Sequence, residues 1–214
     1  MSTSNEPRRR AGLLQERSRE TRHRLVRAAL HLWTERGFET GIEDTRVEEI
    51  CQAAGVTKGT FYFHFAHKED ILLEMGAETA TVLNESANRC VRSDRSLDDS
   101  LRTVLNAVAR NIKGTPPAAV SRALAEFRRP HRIHASYSGP AFSEAFEKLF
   151  TKAQEEGEVT QRVDPSEMAQ ILEALVVDCI MEWSHGRLPK LNQALHLRAA
   201  IVTAGLHPDV NLPD

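Results

Sequence analysis

The 214-residue chain is poor in the residues that build disulfide frameworks and structural metal centres. Its three cysteines, Cys51, Cys90 and Cys179, lie far apart, and none belongs to a CxxC pair. This spacing gives no sign of a zinc site or a redox-active dithiol. Cys51 and Cys179 fall on apolar faces of predicted helices, where we expect buried, reduced thiols.

Long hydrophobic runs are absent as well. No apolar stretch approaches the roughly 18 to 20 residues that a membrane-spanning helix needs. The N-terminal sequence MSTSNEPRRRAGLL is basic, but no apolar segment of signal-peptide length follows it. We therefore expect a cytoplasmic protein.

The sequence also lacks the patterns that are typical of enzymes. It has neither a Ser/His/Asp arrangement nor a glycine loop that would cradle a phosphate. His131 and His134 have a spacing seen in metal sites, but the same stretch supplies no carboxylate or cysteine, which favours a solvated loop. We predict no catalytic residues, no metal site and no cofactor.

Charge is present in quantity but is unevenly distributed. The net charge is −2, yet the first 36 residues hold 9 Lys and Arg against 4 Asp and Glu. Residues 1–68 hold 12 basic against 9 acidic residues, and the remainder holds 16 against 21. A basic end on a mildly acidic body is typical of a nucleic-acid-binding module joined to another domain, although a solvated charged helix looks similar.

Helical periodicity is clear after a polar, basic segment of about 14 residues, which we interpret as a mobile arm. Apolar residues from Leu25 to Trp33 recur on one helix face, and Gly37 is placed to end that helix. After a polar loop, Thr45 and Glu48 resemble a capping box that opens a short helix. Gly55 then stops this helix and Thr57 can cap the next one, which is the order of a helix-turn-helix motif.

The second helix of this motif, KGTFYFHF, holds four of the twelve aromatic residues of the chain and allows two interpretations. As a strand it resembles an RNA-binding motif in which alternating aromatic rings stack on bases. As a helix, it directs Phe61 and Phe65 inward and Lys58 and Tyr62 outward, and we expect Phe63 to be covered by the following helix. Helical patterns on both sides, with no second strand, favour the helix.

The rest of the chain is a succession of helical patterns. A long helix begins near Lys68, another spans about residues 97–113, and Asp164 followed by Pro165 marks a strong helix start. We predict an all-α fold with a basic arm at residues 1–14, a three-helix helix-turn-helix domain at 15–68 and a larger helical ligand-binding and dimerisation domain at 69–214.

The segment from about Leu25 to Leu72 contains LVRAALHLWTERGF, TRVEEICQAAGVTKGTFYFHF and HKEDIL, in this order. With these motifs it resembles the DNA-binding domain of the TetR-type family of transcriptional regulators. A weaker similarity covers residues 157–183. The resemblance to the family implies a homodimer that binds a palindromic double-stranded DNA operator, most often as a repressor. A small-molecule effector would release this homodimer from the operator. An RNA-binding protein is the alternative.

The resemblance implies DNA contacts at particular positions. They are Thr45, Arg46, Thr57, Lys58, Gly59, Thr60, Tyr62, His64 and Lys68. The loop ETGIED is longer than the link that is usual in the family, and Arg46 stands where a small hydroxyl residue is common. Arg46 therefore either strengthens a phosphate contact or is a surface arginine.

The long apolar helices near the C-terminus suggest burial on more than one side, which a subunit interface would supply. The expected interface residues are Ile171, Leu172, Leu175, Val176, Cys179, Leu195, Ile201 and Val202. Candidate pocket residues are Phe127, Phe142, Phe146 and Trp183, for which a place in the core is an equal alternative.

Overall fold

The computed structural model describes residues 6–38, 40–127 and 141–210, with side chains from residue 16 onward except that of Phe127. Every regular element in these ranges is a helix, as the sequence predicted. The helices are α1 (Glu6–Arg36), α2 (Gly41–Asp44), α3 (Val47–Ala54), α4 (Lys58–His64), α5 (Asp70–Val91), α6 (Leu97–Lys113), α7 (Pro117–Phe127), α8 (Phe142–Glu155), α9 (Pro165–Ser184) and α10 (Leu191–Gly205).

The predicted start and stop signals act at several helix ends. Gly37 follows the last residue of α1 with a φ of 79°, and Gly55 ends α3 with a φ of 65°, in the left-handed region that glycine adopts at little cost. Asp164 accepts a hydrogen bond from the Ser166 amide at 2.8 Å, and Pro165 occupies the first turn of α9.

The N-terminal arm is the first correction. Residues 6–14 belong to α1 rather than to an aperiodic arm. Pro7 lies in the first turn, where a missing amide hydrogen costs no helical hydrogen bond, and the following arginines and leucines are good helix formers.

Helix α2 is the second difference, because the sequence analysis treated its residues as a polar loop. Ile42 is completely buried and anchors this single turn. Four residues are too few to show helical periodicity in a sequence, so only the packing of Ile42 reveals the element.

The molecule divides into two compact units, residues 1–74 and 75–214, and the boundary falls within α5 rather than at residue 68. The first unit has its own apolar core. Its fully buried members include Leu25, Ala29, Trp33, Ile42, Ile50, Phe61 and Ile71. These side chains come from α1 to α5; within this core α4 packs against α3, and α3 packs against α1.

The second unit is an all-helical domain with a larger core. Helix α9 packs against α7, α8 and α10, and α10 also packs against α6. Phe146, Phe150, Leu172, Val176 and Leu195 are essentially inaccessible to solvent in this core. None of the described helices combines the length and the apolar character that a membrane crossing demands.

Candidate nucleic-acid interface

The turn between α3 and α4 sets the direction of α4. The Val56 amide donates to the Cys51 carbonyl at 2.9 Å, closing α3 around Gly55. Thr57 then caps α4, because its hydroxyl accepts a hydrogen bond from the Thr60 amide at 3.2 Å. The Thr57 and Thr60 hydroxyl oxygens also lie 2.9 Å apart. The predicted helix-turn-helix order is therefore present.

Helix α4 separates an apolar face from an exposed one. Phe61 and Phe65 are 0% and 2% exposed, and their ring centroids lie 5.8 Å apart. Tyr62 is 55% exposed, with its ring edge-on to Phe61. Thr57, Lys58 and Gly59 are also exposed, and Thr60 is half-buried. The exposed face thus carries the small polar and basic residues for which the sequence predicted DNA contacts.

Phe63 contradicts its expected environment. We expected the following helix to cover this ring, but 80% of it is accessible to solvent. Its described aromatic neighbour is His64, whose ring meets it edge to face at a centroid distance of 5.1 Å. A helix of seven residues can bury only one face, and Phe61 and Phe65 occupy that face.

His64 is held differently from its exposed neighbours. Burial lowers the pKa of its imidazole, and the positive charge of Arg22 lowers that pKa further. Arg22 itself lies over the Phe65 ring, 4.8 Å from its centroid, and forms an ion pair with Glu74 at 2.6 Å. The imidazole is therefore neutral at pH 7, so the predicted DNA contact of His64 would be a hydrogen bond rather than an ion pair.

Thr45 does not have its predicted role. The cap of α3 is Arg46, whose backbone amide donates to the Glu49 carboxylate at 2.7 Å. Thr45 is 1% exposed; its hydroxyl donates to the Gly41 carbonyl at 2.6 Å and accepts from the Arg36 guanidinium at 3.1 Å. The prediction of a DNA contact by the Thr45 side chain is wrong, because this residue ends α2 and is buried there.

Arg36 is the main residue of this region that the sequence analysis missed. Its guanidinium pairs with the Glu49 carboxylate, and this hydrogen bond lowers the pKa of Glu49 from 4.5 to about 2. Arg46, next to this pair, remains exposed as predicted. An Arg and a Glu thirteen residues apart lie on two different helices, so helical spacing gives no signal for them.

Lys68 has an intramolecular role that the sequence did not indicate. Its ammonium group donates to the carbonyls of Glu43 and Thr45 at 2.8 and 2.9 Å. The lysine thus ties the α2–α3 connection to the segment before α5. Together with Arg46 and Tyr62, it lines an open concavity of about 350 Å³. A phosphate contact by Lys68 stays a prediction.

Lys58 has a carboxylate partner on the preceding helix. It forms an ion pair with Glu48, and both side chains are about half exposed. The hydrogen bond that the Lys58 ammonium donates to the Glu48 carboxylate lowers the pKa of Glu48 and raises the pKa of Lys58. Exposed pairs of this kind contribute little to stability, so Lys58 is able to exchange Glu48 for a phosphate.

The residues expected at a subunit interface fall into two groups. Leu172, Val176, Cys179, Leu195 and Val202 are at most 9% exposed and belong to the core of their own chain. An interface role for these five is wrong, since side chains that pack inside the subunit are not accessible to a second one. Leu175 is half-buried.

Two of the expected interface residues do face solvent. Ile171 on α9 is 47% exposed and Ile201 on α10 is 62% exposed. Leu197, which the sequence analysis did not assign to the interface, is 61% exposed and lies one helical turn before Ile201.

The aromatic residues proposed for a pocket have mixed outcomes. Phe142 and Phe146 are 8% and 0% exposed and form part of the core, while Trp183 packs against it. The alternative of a core role is thus observed for Phe142 and Phe146. The side chain of Phe127 is not among the described side chains, and His131 and His134 lie outside the described residues. Elsewhere, the described side chains include no group of three His, Cys, Asp or Glu residues arranged to hold a metal ion.

In the residues that the structure describes, these features define an all-helical fold with a helix-turn-helix unit, of the kind that binds DNA, and a second helical unit. Residues 25–75 match the model for bacterial regulatory proteins of the TetR family. The match covers the helix-turn-helix domain and supports a TetR-type family assignment for it.

Two sequence relatives support the assignment. The transcriptional regulator TcmR of Streptomyces glaucescens is 43% identical over 72 residues, which cover 34% of this chain and 28% of TcmR. The A-factor receptor protein of Streptomyces griseus is 28% identical over 199 residues, 92% of this chain and 67% of the receptor. The match to TcmR thus spans less than a third of that relative.

The fold also matches a solved structure over nearly its whole length. Thermus thermophilus FadR, a TetR-family transcriptional repressor solved in complex with lauroyl-CoA, superposes with a TM-score of 0.70. The match covers 90% of this chain and 99% of FadR at 23% sequence identity. This likeness establishes the common fold of both units.

Proposed function

We propose that this protein is a transcriptional repressor that binds a palindromic DNA operator as a homodimer and is released by a small-molecule effector. The observation that carries the proposal is the exposed face of α4. Its cap and buried phenylalanines hold the helix rigidly, while Lys58 and Tyr62 project from it. A short, firmly packed helix with such a surface is suited to enter the major groove.

The contacts would divide into two kinds. Lys58, Arg46 and Lys68 carry the positive charges that suit phosphate groups, and the ion-paired Lys58 remains cationic at neutral pH. Thr57, Thr60 and Tyr62 offer hydroxyl groups, which donate to or accept from phosphates and base edges. Gly59 lets the backbone of α4 come close to the duplex.

Homodimerisation would use the exposed part of α9 and α10. Ile171, Leu197 and Ile201 are large apolar side chains that lie accessible on these helices. Burying them against a second copy is favourable, at roughly 25 cal/mol for each Å² removed from water. The α4 helices of the two subunits, which would be the recognition helices, must then lie about 34 to 36 Å apart to reach half-sites one duplex turn apart.

The effector would bind in the second unit and favour an arrangement in which the two recognition helices no longer match the grooves. Lauroyl-CoA is the first effector to test, because FadR, of the same fold, binds it. Release of DNA by micromolar lauroyl-CoA, but not by coenzyme A alone, would assign an acyl-CoA effector. The absence of release would remove this ligand class and leave DNA binding untouched.

The DNA-binding test starts with duplexes selected from a randomised pool by the full-length protein. Lys58→Ala and Tyr62→Ala should each weaken binding to the selected duplex at least tenfold in fluorescence anisotropy. Lys113→Ala, which removes an exposed lysine from the second unit, is the matched control and should bind normally. Equal affinities for all four proteins would contradict the proposal.

Salt provides an independent check. If six or more phosphates are contacted, affinity should fall on the order of 10³-fold between 50 and 200 mM salt. A nearly flat response would argue against a phosphate-driven interface. The RNA-binding alternative is tested in parallel. Single-stranded RNA selected from a randomised pool should bind the protein no more tightly than a DNA duplex of random sequence does.

A further inference from the structure

Phe63 is the most exposed large apolar side chain among the described residues, at 80%. Successive positions of a helix differ by 100°, so Phe63 lies on the face of α4 opposite Phe61. Gly59, one turn earlier, shares that outward face. The line from Gly59 to Phe63 is therefore the part of α4 that projects furthest from the core.

Packing within the chain explains neither why position 59 is a glycine nor why the ring of Phe63 is exposed. A Cβ atom at Gly59 would meet only the Thr57 hydroxyl, at 3.8 Å, so the fold has room for a side chain there. Glycine is also less favourable than alanine inside a helix. Phe63, for its part, rests on the edge of the His64 ring and is otherwise open. An external surface that approaches the backbone at Gly59 would account for both.

The chemistry of Phe63 narrows what it can contact on DNA. Its ring has no hydrogen-bond donor or acceptor, so it cannot pair with a phosphate or with the polar edge of a base. On the major-groove edges of the base pairs, the apolar group is the 5-methyl of thymine. Lys58 and Tyr62 lie one turn apart on one side of the ring, at about 140° and about 100° from it around the helix, and would hold α4 in the groove.

We propose that Phe63 determines specificity by packing against the 5-methyl group of a thymine in each half-site. This inference rests on the proposed function, since it requires α4 to enter the major groove. It predicts that the protein distinguishes thymine from uracil at one position of each half-site.

Single thymines of the selected duplex, replaced in turn by deoxyuridine, test the contact, because each replacement removes only one methyl group. The unaltered protein should lose affinity about fourfold at one position of each half-site, the effect of burying one methyl group. Phe63→Ala should bind both versions of that duplex equally, and Phe63→Leu should retain part of the discrimination. Because Phe63 is exposed, both variants should fold normally.

The outcomes separate this inference from the proposed function. If Lys58→Ala weakens binding but no deoxyuridine substitution does, the thymine contact is wrong and DNA binding stands. The contact is equally wrong if Phe63→Ala keeps the full discrimination. If no duplex is enriched by selection, the proposed function fails and this inference falls with it. A loss of dimer mass in Phe63→Ala by light scattering would instead place the ring at a subunit contact and overturn the proposal.

Discussion

The two units expose apolar side chains in different settings. In the first unit, the Phe63 ring projects from α4 on the same face as Gly59, with the hydroxyl-bearing ring of Tyr62 exposed to one side of it. In the second unit, Leu197 and Ile201 project from one face of α10, with exposed alanines beside them. One fully apolar ring, bordered by residues that carry polar groups, suits a hydrated groove that presents isolated methyl groups. A continuous apolar stripe suits another apolar stripe, such as that of a second subunit.

The largest difference in stability should appear when each of the two phenylalanines on opposite faces of α4 is replaced by alanine. Phe61→Ala empties a fully buried site and should cost about 3–5 kcal/mol of unfolding free energy. Phe63→Ala should change it by less than about 0.5 kcal/mol. Urea denaturation followed by circular dichroism measures both. Similar losses for the two variants would mean that Phe63 is covered in solution.

The corresponding comparison in the second unit involves α10. Leu195→Ala removes a fully buried side chain and should cost about 2–5 kcal/mol. Ile201→Glu, at an exposed position, should leave the stability of the isolated subunit nearly unchanged but convert the proposed dimer into monomers, because it places a charge in the proposed apolar interface. Light scattering gives the mass. A dimer that persists in Ile201→Glu would locate the interface elsewhere.

Two glycines of the first unit should respond in opposite directions. Gly55→Ala forces an L-residue to a φ of 65° and should destabilise the protein by about 1–2 kcal/mol. Gly59→Ala fills open space within a helix and should stabilise it by up to about 1 kcal/mol. Thermal unfolding reports both changes. If Gly59 lies against DNA as proposed, the more stable variant should also be the weaker DNA binder.

The smallest effect concerns the stability of the folded protein at low pH. The pKa of Glu49 is lowered to about 2 by Arg36, so the folded state holds this carboxylate ionised where the unfolded chain would protonate it. The contribution is therefore fully present above pH 4.5 and is lost as the pH falls toward 2. Glu49→Gln should flatten this part of the stability–pH curve. Glu20→Gln, at an exposed position of α1, serves as a carboxylate control in the same unit, and an identical change in both would exclude the Arg36 pair as the cause.

Local signals predicted the elements of both units well. Gly55 and Thr57 defined the turn before α4, the helical pattern predicted α6 at residues 97–113, and Asp164 with Pro165 marked the start of α9, because hydrogen bonding and capping depend on neighbouring residues. The site was less predictable. The first turn of α4 has the expected exposure, but the roles of Thr45 and Lys68 depend on Gly41, Arg36 and Glu43, whose positions relative to them depend on how α1 and α2 fold.

What the sequence by itself determined is the all-helical class, the order of the longer helices, the cap and turn around α4, and a resemblance to the TetR family. The tertiary structure decided which apolar faces are core and which are surface. Leu172 and Ile171 are adjacent in α9, yet one is buried and the other is 47% exposed. Apolar periodicity predicts a helix but not which elements pack against each of its faces. The packing partners are side chains that lie far away in the sequence. For the same reason only the fold revealed that Phe63 stands exposed on the face of α4 opposite its buried neighbours.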